Sequence, residues 1–137
     1  ELIGAKLPDN KIDGKSIVNL VKGTSDKSPQ EAYYFYYGKQ LQAIRSGKWK
    51  LHFPHAYRTM AGRPGGKEGI PTAYSQAKIG LSLFNLGKDI GETTDVKDKH
   101  PKVLARLQAL GQVMRNELGD LGKKGNGQRE PGRLAKR

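Results

Sequence analysis

Cysteine is absent from the 137 residues. That removes disulfides, thiolate metal sites and a cysteine nucleophile from this chain, and it leaves the redox compartment open. Hydrophobic residues are scarce, at 35% with a mean hydropathy of -0.72. No run approaches the roughly 18 apolar residues of a membrane helix, so no membrane association is expected. No basic-then-apolar leader opens the chain, which starts at Glu1, and targeting is left undecided. Acids are also few: 13 Asp+Glu stand against 25 Lys+Arg, a formal net charge of +12. The surrounding field therefore attracts anions, with nucleic acid, acidic lipid and sulfated glycan all eligible.

Order is expected where the apolar residues lie, between Ala32 and Leu118. Residues 1–31 are a polar lead-in with a Pro8-Asp9-Asn10 turn and a short apolar segment, Ser16 to Val21, of one or two helical turns. Strands are predicted at about 32–37, 40–45 and 48–53 as an antiparallel meander, with a fourth at 82–86. Trp49, Leu51 and Phe53 alternate with Lys50 and His52, the period-2 pattern of a strand with one buried face. Aromatics occupy both parities of Tyr33 to Tyr37, which predicts a strand covered on both faces, as in a central position. Val103, Leu107, Leu110, Met114 and Leu118 follow helical spacing over about 101–118, with Pro101 suited to the first turn and Gly119 to the stop. Gly111 lies on that stripe and would permit close approach to the sheet. The expected architecture is α+β: a small four-stranded antiparallel sheet packed by a C-terminal helix, with no partner in the chain for the second sheet face. Residues 54–81 form a long loop by this reading, and 120–137 a basic, mobile tail dispensable for folding.

Arg45-Ser46-Gly47-Lys48-Trp49-Lys50-Leu51, the strand Leu83 to Leu86, the turn Asp89-Ile90-Gly91-Glu92-Thr93 and His100-Pro101 before a helix form an ordered set. With Ile12-Asp13-Gly14-Lys15-Ser16 ahead of it, the set resembles the C-terminal region of formylglycine-dependent sulfatases, of the arylsulfatase A-like and bacterial polysaccharide-sulfatase kind. Ile90 departs from the Pro usual in that turn. The resemblance implies the C-terminal subdomain of an alkaline-phosphatase-like fold and a parent enzyme hydrolysing aryl or carbohydrate sulfate. It also implies a periplasmic, secreted or lysosomal-type location.

The same resemblance implies that the chemistry lies elsewhere. The family's nucleophile is formylglycine, made from Cys or Ser in a Cys/Ser-x-Pro-x-Arg motif beside a calcium ion. Here Arg129-Glu130-Pro131-Gly132-Arg133 is the one partial match, with Arg129 in place of the oxidisable residue. Asp9-Asn10 has no neighbouring carboxylate cluster and reads as a turn rather than a calcium pair. His52, His55 and His100 lack ligand spacing. No catalytic residue, metal ligand or cofactor is therefore assigned to this chain; calcium and formylglycine are expected in an N-terminal catalytic domain of the same protein, which is the implied partner. The resemblance further implies that the 54–81 loop reaches the mouth of the active site, where His55, Tyr57 and Arg58 would bind the leaving group of a sulfated small molecule or glycan. A plain solvated loop is the competing reading. The loop carries Arg58, Arg63, Lys67 and Lys78 against Glu68, a balance suited to an anion. A self-standing basic module binding a polyanion or nucleic acid is the alternative function; no helix-turn-helix, RNA-binding aromatic signature or zinc ligand set supports it.

Overall fold

The structure is a computed structural model that describes residues 3–9, 11–130 and 132. The short helix α1 (Val18–Val21) precedes strands β1 (Tyr33–Tyr37), β2 (Gln40–Ser46), β3 (Trp49–His52), β4 (His55–Thr59), β5 (Ser75–Ile79) and β6 (Ser82–Asn85). A 3-10 turn (Lys97–Lys99), the long helix α2 (Pro101–Leu118) and two short strands, β7 (Gly119–Asp120) and β8 (Lys123–Lys124), complete the described chain. The main sheet has the antiparallel order β1-β2-β3-β6. The fold is thus α+β, as the sequence predicts.

One face of this sheet and one stripe of α2 make the core. Leu41, Ile44, Leu51, Phe53 and Leu83 are buried with Leu107 of the helix, and Val103, Leu104, Leu110 and Met114 pack at the edge of that cluster. Leu118, at the end of the predicted stripe, is exposed. Gly111 is where helix and sheet come closest: a Cβ there would stand 2.5 Å from Cζ of Phe53 and 3.0 Å from Cδ1 of Ile44. The helix end is tied down by polar groups. Tyr36 donates its hydroxyl to the Gly119 carbonyl at 2.9 Å, the Leu41 amide donates to Asp120 at 3.0 Å, and Arg115 donates to Asp120 at 2.7 Å. The Arg115 guanidinium also covers the Phe53 ring at 4.1 Å.

Three expectations are corrected. Strand β1 lies at the edge of the sheet, not its centre. Tyr34 and Tyr36 pack on the core, whereas Tyr33 and Tyr37 are 65% and 66% exposed on the other face; its aromatics reflect one buried face and one open one. Within 54–81 the chain forms a hairpin, β4 against β5, in register from His55↔Ile79 to Thr59↔Ser75. Its strands bury little and so lack an alternating apolar pattern, which is why a loop is predicted there. The tail folds back after Asp120: β8 pairs with β7, the Leu121 amide donates to the Lys39 carbonyl at 2.9 Å, and the amides of Asn126 and Gly127 donate to the Asn116 and Glu117 carbonyls at 2.8 Å each. These carbonyls at the end of α2 have no intrahelical donors, so the following chain supplies them. Asn10 of the Asp9-Asn10 turn and Pro131, Arg133, Lys136 and Arg137 of the tail lie outside the described residues.

Two outcomes follow for stability. Gly111→Ala gains about 1 kcal/mol of helix propensity but overpacks rigid neighbours at a cost of about 1–3 kcal/mol; denaturant unfolding is expected to show net destabilisation. Truncation after Asp120 removes the groups that close the end of α2 and is expected to lower the melting temperature by several degrees, as read by circular dichroism. An unchanged melting temperature would return this segment to a free tail.

Candidate functional site

The sheet face turned away from α2 holds the chain's polar cluster. Lys50 and His52 share one parity of β3 and therefore one face. Between them reaches Glu92, whose two oxygens accept from Lys50 Nζ and His52 Nε2 at 2.6 Å each. The three side chains are only 17, 13 and 25% exposed. The ammonium of Lys50 sits 5.1 Å over the Phe35 ring and the His52 ring meets Phe84 edge-on at 5.7 Å, so aromatic walls enclose the group.

Glu92 is delivered by a turn built from side-chain-to-backbone bonds. Asn85 accepts from the Gly87 amide at 3.2 Å, Asp89 from the Thr93 and Thr94 amides at 2.8 Å each, and Asp95 from the Leu83 and Lys97 amides at 3.0 Å each. Partial burial works against the Asp95 carboxylate, but these amides and the Lys97 ammonium outweigh it and bring its pKa down to about 2. Within this turn Glu92 takes φ 55, a left-handed conformation uncommon for a residue other than Gly, Asn or Asp. The local backbone cost is offset by two charge-assisted bonds that only this placement permits.

A carboxylate only accepts, so the proton of neutral His52 is on Nε2 and Nδ1 is bare; that Nδ1 is buried without a partner. Burial pushes the His52 pKa below its ordinary 6.5, and Lys50 adds to the effect against the opposing pull of Glu92. For Glu92 burial raises the pKa, while the bonds from Lys50 and His52 lower it and prevail. His55 stacks on His52 with ring centroids 5.5 Å apart. Its Nδ1 lies 2.7 Å from the Phe53 carbonyl and so carries the proton, which leaves Nε2 as the acceptor of the neutral ring.

The three residues singled out from the sequence all sit on β4, but they do not converge. The rings of His55 and Tyr57 are 6.1 Å apart on one side of the hairpin. Arg58 has the opposite parity; its Nη2 reaches the Tyr37 hydroxyl at 3.4 Å and its guanidinium covers Tyr74 at 5.6 Å. A cleft of about 190 Å3 between hairpin and sheet edge is lined by Tyr57 and Arg58 and not by His55. Lys50, Glu92 and Tyr37 were missed as site residues; the available signal was the shared polar parity of Lys50 and His52. His100 packs on Trp49 at 4.7 Å. Among the described residues no group of three or more His, Asp or Glu side chains could hold a metal ion, and no helix is long and apolar enough to cross a membrane.

Residues 28–130 match the family profile of the C-terminal region of aryl-sulfatase. The chain belongs to the sulfatase family, as that C-terminal region. It is 30% identical to mouse (Mus musculus) steryl-sulfatase, over 85% of this chain and 21% of that protein. It is 31% identical to bovine (Bos taurus) arylsulfatase A, over 82% and 23%, and 30% identical to human (Homo sapiens) arylsulfatase A, over 85% and 24%. A solved structure concerned with metabolism of multiple glycosaminoglycans by Bacteroides thetaiotaomicron superposes with a TM-score of 0.54 at 21% identity, over 83% of this chain and 22% of that one. This sulfatase region thus spans between a fifth and a quarter of the relatives it matches. The nucleic-acid alternative finds no support among them.

The sulfatase region's polar cluster makes its stability depend on acid in two stages. Since the folded pKa of His52 is lowered, the unfolded chain binds that proton first as pH falls below about 6.5, and stability is lost toward the folded value. Glu92, also lowered, contributes stability above about pH 4.5 that is lost as pH falls through its folded pKa. Melting temperature against pH is expected to decline in both windows. Glu92→Gln should make the lower limb shallower and retain the upper one, because removing the carboxylate deprives His52 of the group that raises its pKa; an unaltered lower limb would remove Glu92 from the account.

Proposed function

We propose that this chain is the substrate-side wall of an enzyme that hydrolyses sulfate esters, and that it is inactive alone. Family membership over residues 28–130 carries the reading, and the hairpin geometry adds to it. Formylglycine and calcium would be held by an N-terminal catalytic domain: this chain has no Cys/Ser-x-Pro-x-Arg motif and, among the described residues, no donor cluster for a cation. Formylglycine would supply the nucleophile there, and this chain's share is binding and orientation. The open sheet face, with Tyr33, Phe35 and Tyr37 exposed beside the Lys50–Glu92–His52 group, is the surface offered to that domain. Arg58 offers a charge-assisted donor to an anionic leaving group, and His55 Nε2 a polar contact on the other side of the hairpin. The +12 charge of the chain steers anionic substrates toward this wall. A periplasmic, secreted or lysosomal-type compartment accompanies the reading.

Interactions made equally with substrate and transition state change KM more than kcat. Replacing His55 or Arg58 by Ala in the enzyme containing this chain is expected to lower kcat/KM for its sulfated substrate on the order of tenfold to a hundredfold, mostly through KM, with a smaller effect on 4-nitrophenyl sulfate. Equal and total loss on both substrates, with the fold intact, would place these residues in the reaction itself. The isolated chain is expected to release no 4-nitrophenol from that ester with calcium added; turnover that survives removal of contaminating enzyme would overturn the assignment.

A further inference from the structure

The β4–β5 hairpin is a sheet of its own, not a continuation of the four-stranded one. It is joined to that sheet through Pro54 at one end and Gly80-Leu81 at the other, all three outside the strands. Two hydrogen bonds from hairpin to sheet are long and exposed: Gln40 Nε2 donates to the Pro54 carbonyl at 3.4 Å, and Arg58 Nη2 to the Tyr37 hydroxyl at 3.4 Å. Water competes for both, so neither holds the hairpin firmly. At the hairpin's base the His55 ring meets the His52 ring, with planes 18° and centroids 5.5 Å apart. The two sides of this contact differ. His52 is mostly buried, fixed by Glu92 at Nε2 and by the edge-on ring of Phe84, itself buried in β6. His55 is carried by the weakly held hairpin.

We infer that this imidazole pair is an acid-released latch: a proton taken up at His52 Nδ1 frees the base of the hairpin while the main sheet and α2 stay closed. Nδ1 is buried and, among the described residues, has no hydrogen-bond partner. Protonated in place it would be a buried donor without an acceptor, which costs free energy until the atom reaches water. The charged and titratable groups facing the ring are Lys50 on β3, Glu92 on the turn and His55 on β4; β6 contributes only the uncharged ring of Phe84. Burial is the largest influence against the proton, Lys50 and His55 add to it, and Glu92 favours it. The bond from Nε2 to the Glu92 carboxylate strengthens when the ring is charged, so that end of His52 stays anchored. Of the two rings against His52, Phe84 is held in the sheet and His55 is the one free to withdraw. The element that yields is therefore the hairpin. This localises the acid response to one segment, and it rests on the packing of this chain, independently of the sulfatase reading.

Amide hydrogen exchange in the enzyme containing this chain provides the test, measured by mass spectrometry from about pH 7.5 to about pH 5.5 and expressed as protection relative to the unstructured peptide at each pH. With the folded pKa of His52 lowered from 6.5, the proton favours the open hairpin as pH falls below that value. Protection in His55–Thr59 and Ser75–Ile79 is expected to fall several-fold, at most about tenfold over this range, while residues 86–95 and Pro101–Leu118 keep theirs. His52→Gln retains a donor for Glu92 but takes up no proton; its hairpin protection should not vary with pH. His55→Gln removes the ring from the hairpin side and should lower hairpin protection at every pH, again without the acid response. In both variants undiminished protection of Pro101–Leu118 reports an intact fold; if one fails to fold, the other decides. Hairpin protection that does not vary with pH in the native sequence overturns the latch, as does an acid response that persists in either folded variant. A loss shared equally by residues 86–95 or by α2 overturns it too, since the acid response would then not belong to the hairpin.

Discussion

The approach of α2 to the sheet at Gly111 is the constraint on which the remaining arrangement depends. Only a residue without a side chain lets Phe53 and Ile44 meet the helix backbone there, and Leu41, Ile44, Leu51 and Leu83 of β2, β3 and β6 gather on that side with Leu107. Dispersion and apolar burial over this one interface hold the unit together. A sheet has two faces, however, and one long helix covers one of them. The period-2 geometry of β3 that sends Leu51 into the core sends Lys50 and His52 out the other way. The face left open by the helix is therefore where the polar group of Lys50, Glu92 and His52 collects.

On that face the turn from Asn85 to Lys97 does for polar groups what α2 does for apolar ones. Its Asp89 and Asp95 carboxylates satisfy successive backbone amides and shape the chain so that Glu92 stands over β3. Two charge-assisted bonds then tie residues forty or more positions apart. Because Glu92 is mostly buried, loss of either cationic or donor partner leaves a poorly solvated carboxylate, and the group is satisfied as a set. His55 stacks on this set and begins the hairpin, so the order of the turn extends through a ring contact to β4.

What the sequence made legible follows the strength of its periodic signals. Trp49, Leu51 and Phe53, and the α2 stripe with Gly111 upon it, bury one face each, and burial leaves a pattern in composition. The hairpin was not legible for the opposite reason: Ala56, Tyr57 and Arg58 are exposed, and the paired strands are separated by residues 60–74, so neither alternation nor a short turn marks them. Tyr33 to Tyr37 misled because exposed aromatics look, in a string of residues, like buried ones. The tail misled through its charge: Lys123 and Lys124 are exposed as expected, while the amides of Leu121, Asn126 and Gly127 do the anchoring and leave no trace in side-chain composition. The ordered motifs carried the family; Arg58 came through resemblance, but its meeting with Tyr37 is a matter of geometry between β1 and β4.

That the ligand lies on the α2-free side is the central claim, and hydrogen exchange addresses it without reliance on turnover. In the enzyme containing this chain, with its nucleophile inactivated, amide exchange would be compared with and without a bound sulfated oligosaccharide. The account predicts added protection in His55–Thr59 and Ser75–Ile79 and no change in Pro101–Leu118. Protection confined to the exposed side of α2, or none within this chain while the oligosaccharide is bound, would contradict it.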